Sequence, residues 1–193
     1  SCALRGISLE IWPGKNIGIV GETGSGKTTL LKILCGILNP PTGSIWINGQ
    51  DVSQTESTSP WRTLFSYAPQ DNLLFSWTIR DNLALGDPFT ESEILEIIST
   101  VDFSNDLQEM SLGLDSNPGE QGVLLSGGQR QRLGLARSLL QHRPILLLDD
   151  VLSAVDPVRE QNIIRRLFTR LNAQQALVFV THRYAALEHF HEI

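Results

Sequence analysis

The string Gly21-Glu22-Thr23-Gly24-Ser25-Gly26-Lys27-Thr28 has the spacing G-x-x-x-x-G-K-[ST]. Glycines at these positions let successive backbone N–H groups curl around phosphate oxygens, and a helix starting there adds its positive end. Lys27 would reach the outer phosphates of a nucleotide and the Thr28 hydroxyl would ligate Mg²⁺. Such a loop needs a strand before it and a helix after it. Ile17-Gly18-Ile19-Val20 runs into the loop, and Thr29-Leu30-Leu31-Lys32-Ile33-Leu34 runs out of it. A second glycine-rich helix start follows far along the chain. In Leu125-Ser126-Gly127-Gly128-Gln129 the serine is a good N-cap, a long helix-forming run follows, and Gly127 and Gly128 leave N–H groups open to an anion. One nucleotide rarely needs two such loops from one chain.

Other candidates sit at the ends of apolar runs. Asp149 and Asp150 close Ile145-Leu146-Leu147-Leu148. A strand end in an open parallel sheet faces the ligand crevice, although taken singly Asp149 is an ordinary turn-starting aspartate. Gln70 follows Tyr67-Ala68-Pro69, and His182 follows Val178-Phe179-Val180-Thr181. Taken singly, the glutamine is an ordinary loop residue and the histidine a structural one. Asp156 on its own serves as a cap for a helix starting at Pro157.

Taken together, and in this order along nearly the whole chain, these strings resemble the nucleotide-binding domain of ATP-binding-cassette (ABC) proteins, whose signature reads LSGGQ. The resemblance implies an ATPase using ATP and Mg²⁺. Residues Gly21 to Thr29 would bind the nucleotide, and Thr28, Gln70 and Asp149 would serve the metal. Asp150, Gln70 and His182 would act on the attacking water and the γ-phosphate. Two domains would pair head to tail, so that Ser126, Gly127, Gly128 and Gln129 cap the nucleotide held by the partner, with Asp156 crossing the interface. Leu74 to Asn82 and Pro118 to Gly122, with Glu120 as an acidic member, resemble segments of exporters. They imply transmembrane partner domains and a place at the cytoplasmic face of a membrane.

One position departs from the family pattern. Ile145 to Asp149 resembles the family's Walker B motif; hydrolytically competent members carry glutamate directly after it, and here the residue is Asp150. Its carboxylate falls short by roughly an ångström, and an error of that size can lower a rate by about a hundredfold. The resemblance therefore narrows to one half of a heterodimeric exporter, paired with a different chain that carries the glutamate. A homodimeric ATPase in which Asp150 suffices is the alternative, and an ATP-gated clamp without transport is a third reading. A guanine-reading N-K-x-D string does not occur.

The elements that must position these residues read as follows. Ile7 to Ile11 alternate apolar and polar, as in a half-buried strand. Ser44 to Ile47 reads as a strand turning at Asn48-Gly49, and Leu64 to Ala68 as another. From Thr78 to about Arg143 the pattern is helical, clearest over Glu91 to Val101. The apolar runs at 145–148 and 176–180 suit parallel strands covered on both faces. With an amphipathic helix over Val158 to Leu171 they form a right-handed crossover unit. The expected class is α/β, a P-loop NTPase core of mostly parallel sheet with a helical signature subdomain. The expected division is core 1–70, helical lobe 71–143 and core 144–193, truncated at both ends. The start at Ser1-Cys2-Ala3-Leu4 is expected to fall after the aromatic residue that stacks on adenine in the family.

Composition is consistent with this. The 193 residues are 41% hydrophobic, enough for a core. A net charge of −6 argues against nucleic acid as a partner. Cys2 and Cys35 make no disulfide framework, and Cys35 is expected as a small core residue.

Overall fold

The computed structural model describes residues 4–53, 60–183 and 190; Ser1, Cys2 and Ala3 lie outside them, and the side chain of Gln121 is also outside the description. Among the described residues, four parallel strands form the central sheet: β1 (Asn16–Val20), β4 (Phe65–Ala68), β5 (Ile145–Asp149) and β6 (Ala176–Thr181), in the order β1-β6-β5-β4. The register sets Asn16 against Leu177, Ile145 against Ala176 and Phe65 against Ile145.

The apolar runs are explained by what covers the two faces. Leu147, Val178 and Val180 pack with Leu31 and Cys35 of the segment that follows the phosphate loop. Their neighbours Leu146, Leu148, Leu177 and Phe179 point the other way, into the large core shared with the helical part of the chain. All six residues of β6 are buried. Such a strand has no polar face, so alternation disappears from its sequence.

Helix α1 (Lys27–Leu34) lies on the first face, with Cys35 as its C-terminal cap and buried as expected. Between β4 and β5 come α2 (Ile79–Ala84), α3 (Glu91–Thr100), α4 (Ser104–Glu109) and α5 (Gly127–Leu140). Helix α3 starts on a capping box in which Thr90 and Glu93 satisfy each other's backbone N–H groups. Helix α6 (Pro157–Arg170) joins β5 to β6, which pair in parallel. Ile163, Ile164 and Leu167 supply the buried stripe of α6. Among the described residues, no helix is long and apolar enough to cross a membrane.

A two-stranded hairpin, β2 (Trp46–Ile47) and β3 (Gln50–Asp51), projects beside the sheet. Its turn residues Asn48 and Gly49 have φ of 50° and 79°, the double left-handed geometry that a two-residue hairpin requires. The strand expected over Ser44 to Ile47 is shorter than that. The Ser44 N–H and hydroxyl both donate to Pro41 O, so a local turn captures the residue before it can enter the ladder. Leu64 likewise belongs to a 3₁₀ turn, Pro60–Leu64.

The strand expected over Ile7 to Ile11 does not form. The alternation is real as a burial pattern, since Leu9 and Ile11 pack against the α1-side core while Ile7 is 56% exposed. This segment and residues 46–49 line one groove of about 740 Å³, and no ladder joins them.

Candidate nucleotide site

Helix α1 opens at Gly26 with no side-chain cap, and Gly24 and Gly26 have φ of 82° and 98°. The first N–H groups of a helix have no intrahelical acceptors. A left-handed glycine at the cap leaves them without a competing side chain and lets the loop curl. A Cβ on Gly21 would come within 3.0 Å of Ser25 Oγ and 3.8 Å of Lys27 Cδ, so a side chain there would fill the cradle. The Lys27 ammonium donates to Gly21 O at 2.6 Å and Glu22 O at 2.7 Å. Its charge is therefore held across the mouth of the loop, beside the positive end of α1. This chemistry fits an anion with several oxygens.

Because the sheet is parallel, the strands deliver their C-terminal ends to one edge. β1 leads to the phosphate loop, β4 to Gln70, β5 to Asp149 and Asp150, and β6 to His182. Asp149 is 2% exposed and accepts a hydrogen bond from the Tyr67 hydroxyl at 3.0 Å. Burial, and then the Asp149 charge, push the Tyr67 phenol far above its usual range, so it stays a donor. A buried carboxylate and the Thr28 hydroxyl are hard oxygen donors, the kind Mg²⁺ takes. The residues present thus fit both nucleotide phosphates and the ion.

Asp150 is buried, with φ of 50°, and its N–H donates to Val180 O at 2.9 Å. That bond ties the end of β5 to β6. Gln70 Nε2 donates to Asp150 Oδ2 at 3.3 Å, and His182 Nε2 lies 4.0 Å from the same oxygen. Residues 70, 150 and 182 therefore meet at one carboxylate, although they leave three different strands.

The second glycine helix start is built differently. Ser126 and Gln129 form a full capping box: the Gln129 N–H donates to Ser126 Oγ at 3.2 Å and the Ser126 N–H to Gln129 Oε1 at 2.8 Å. Gln129 Nε2 also donates to Asp106, which pairs with buried Arg132. Burial works against the charge on Asp106, but the bonds from Arg132 and Gln129 overcome it and hold the carboxyl below its usual range. Gly128 passes so close to the turn before α6 that a Cβ there would meet Ala154 O at 2.9 Å. Asp156 caps α6, its Oδ1 accepting from the Arg159 N–H at 2.9 Å.

Four residues of this site carry no motif of their own. Tyr67 on Asp149 is one. Gln131 is another: it is buried, donates to Ser153 Oγ at 2.9 Å and to Gln70 O at 3.4 Å, and accepts from the Ala154 N–H at 2.8 Å. It ties α5 to the residues around both Gln70 and Asp150. Half-buried Arg183 and buried Glu160 form an ion pair behind the same turn. Their sequence signals are slight: a glutamine inside a helical run, and an arginine directly after His182.

A parallel sheet with a phosphate loop at one strand end, paired carboxylates at another and a glycine-started helix beside them defines an ATP-binding domain of the P-loop class. The chain belongs to the ABC transporter family, whose profile matches residues 4–153. It is 42% identical over 188 residues to the "Probable multidrug resistance ABC transporter ATP-binding/permease protein YheI" of Bacillus subtilis, covering 96% of this chain and 32% of that protein. It is 36% identical over 192 residues to the "ATP-dependent lipid A-core flippase 1" of Colwellia psychrerythraea, covering 99% of this chain and 32% of that protein. A solved bacterial Atm1-family ABC exporter with ATP bound superimposes with a TM-score of 0.83 at 33% identity, over 90% of this chain and 30% of that one. The chain thus spans about a third of the length of these relatives.

Proposed function

We propose that this chain binds Mg-ATP in its phosphate loop, pairs head to tail with a second nucleotide-binding domain, and powers export through transmembrane domains at the cytoplasmic face of a membrane. The observation that carries this is the convergence of Lys27, Gln70, Asp149, Asp150 and His182 on one strand-end edge, apart from a second glycine helix start at Gly127. Residues 21 to 26, with Lys27, Thr28 and Thr29, hold the triphosphate. Thr28, Asp149 and Gln70 serve the ion, which when bound offsets phosphate charge. Asp150 accepts the proton of the attacking water, with Gln70 and His182 orienting it. Ser126 to Gln129 face the nucleotide held by the partner domain. Leu73, Phe75, Trp77, Val123 and Leu124 are exposed apolar side chains suited to transmembrane partners.

Asp150 makes this a slow site, and the partner is a different chain with glutamate at the matching position. The second reading is a homodimer in which aspartate suffices. The 3.3 Å bond from Gln70 and the nearness of His182 favour it, because both reach the short carboxylate.

The experiment is calorimetric titration with Mg-ATP. Lys27→Ala removes a charge-assisted contact of about 1.5–3 kcal/mol, a loss of roughly one to two powers of ten in affinity. Equal affinity for both proteins refutes the assignment.

A further inference from the structure

Behind the strand-end site lies the turn Val151–Val155, whose polar backbone groups are held from two sides. On one side Gln131 accepts from the Ala154 N–H and donates to Ser153 Oγ. On the other stands Arg183, next in sequence to His182. Its Nη1 donates to Val155 O at 3.1 Å and to the Glu160 carboxylate, and its Nη2 donates to Ser153 O at 2.9 Å. Its own N–H donates to Thr181 Oγ1 at 3.0 Å, fixing the end of β6. Glu160 is 5% exposed, in the first turn of α6, and burial pushes its carboxyl up despite the guanidinium against it.

We infer that Arg183 is a positioning residue of the site: its guanidinium, seated on Glu160, locks the turn that follows Asp150 to the strand end that carries His182. The inference rests on the ATP-hydrolysing function proposed above. Two chain segments meet at Asp150, one leaving β5 and the other leaving β6. Their relative placement sets the 4.0 Å separation of His182 Nε2 and Asp150 Oδ2. A single planar fork spans both segments and directs donors at two carbonyls and a carboxylate at once. Lysine keeps the charge but has no fork, and a point ammonium cannot hold three acceptors spread over that arc. The turn also faces Gly128, through Ala154 O, so its position bears on where the signature helix start lies.

The test compares wild type, Arg183→Lys, Arg183→Ala and Lys27→Ala in the full chain. Three quantities are read: Mg-ATP affinity, the single-turnover hydrolysis rate constant, and amide hydrogen exchange over residues 151–156. Arg183→Lys is expected to keep Mg-ATP affinity near wild type, to lower the hydrolysis constant about tenfold or more, and to speed exchange in the turn. Millimolar guanidinium is expected to restore much of the rate to Arg183→Ala, an effect a purely structural arginine does not give. If Arg183→Ala does not fold, the lysine variant decides alone. Lys27→Ala with unchanged Mg-ATP affinity removes the nucleotide reading, and the exchange data still judge Arg183. A folded Arg183→Lys protein with wild-type exchange over 151–156 overturns the inference, as does a rate loss that only follows lost Mg-ATP affinity.

Discussion

Replacing Asp150 with glutamate sets a gain in reach against a backbone cost, and the two appear in different observables. The aspartate stands at φ 50°, a left-handed conformation that short polar residues tolerate better than longer ones. Its carboxylate touches Gln70 Nε2 at 3.3 Å and stops 4.0 Å from His182 Nε2. One added methylene moves the carboxylate outward by roughly an ångström. For a general base, placement on that scale is worth about 10² in rate, or about 2.7 kcal/mol of barrier. A residue without a short polar side chain meets a left-handed penalty of about 1–2 kcal/mol. Aspartate escapes part of that, so Asp150→Glu is expected to lose up to about 1 kcal/mol of stability. For a domain of this size that is about 2–4 °C in Tm. The assay is single-turnover ATP hydrolysis, with Tm measured on the same preparations. The expected result is a faster, slightly less stable protein. A folded Asp150→Glu protein with normal Mg-ATP affinity and no faster turnover refutes the short-reach argument. In a complete transporter, Asp150→Asn is expected to leave total turnover nearly unchanged, since the partner's site carries it. A collapse by about 10²–10⁴ would instead establish the homodimer.

Two further predictions concern the packing around the site. Asp106 titrates lower in the folded protein than its ordinary 3.8, so its contribution to stability is full above that pH and is lost as pH falls through the lower folded value. Asp106→Asn is therefore expected to flatten the acid limb of a denaturant-midpoint curve below about pH 3.8, and parallel curves for the two proteins would contradict this. Gly134 of α5 lies where a Cβ would come 1.9 Å from Asn72 Cγ, and Asn72 in turn donates to Pro69 O at 2.9 Å. Gly134→Ala gains about 1 kcal/mol of helix propensity but overpacks at about 1–3 kcal/mol. A lower urea midpoint is the expected outcome, whereas a rise by the full propensity gain would mean that Asn72 swings away freely.

The parts of the fold that sequence reveals are those where one local rule settles the matter. The runs at β5 and β6 are apolar throughout because both faces are covered, and they formed where expected. The hairpin turn was legible because Asn48-Gly49 meets a demand for two positive φ angles. Ile7 to Ile11 misled because alternation reports which side chains face the core, not whether a neighbouring backbone is within hydrogen-bond reach. The site divides the same way. The phosphate loop and the strand-end residues are local strings, readable in place. Tyr67 meets Asp149 across 82 positions, and Gln131 meets Gln70 across 61. Such pairs depend on the fold bringing distant segments together, so no window of sequence contains them.

The position of β1 in the sheet has a consequence for how the protein is made. Among the described strands β1 is at an edge, and its one ladder partner is β6. Asn16 pairs with Leu177, so the strand that presents the phosphate loop waits for a segment 161 residues later (177 − 16). At ribosomal speeds of about 5–20 residues per second, that wait is roughly ten to thirty seconds. During it, β1 emerges as an unpaired, largely apolar edge, the kind of surface that chaperones bind and that aggregates when left open. A ribosome stalled before Ala176 therefore holds every residue of the phosphate loop on a strand that has nothing to lie against.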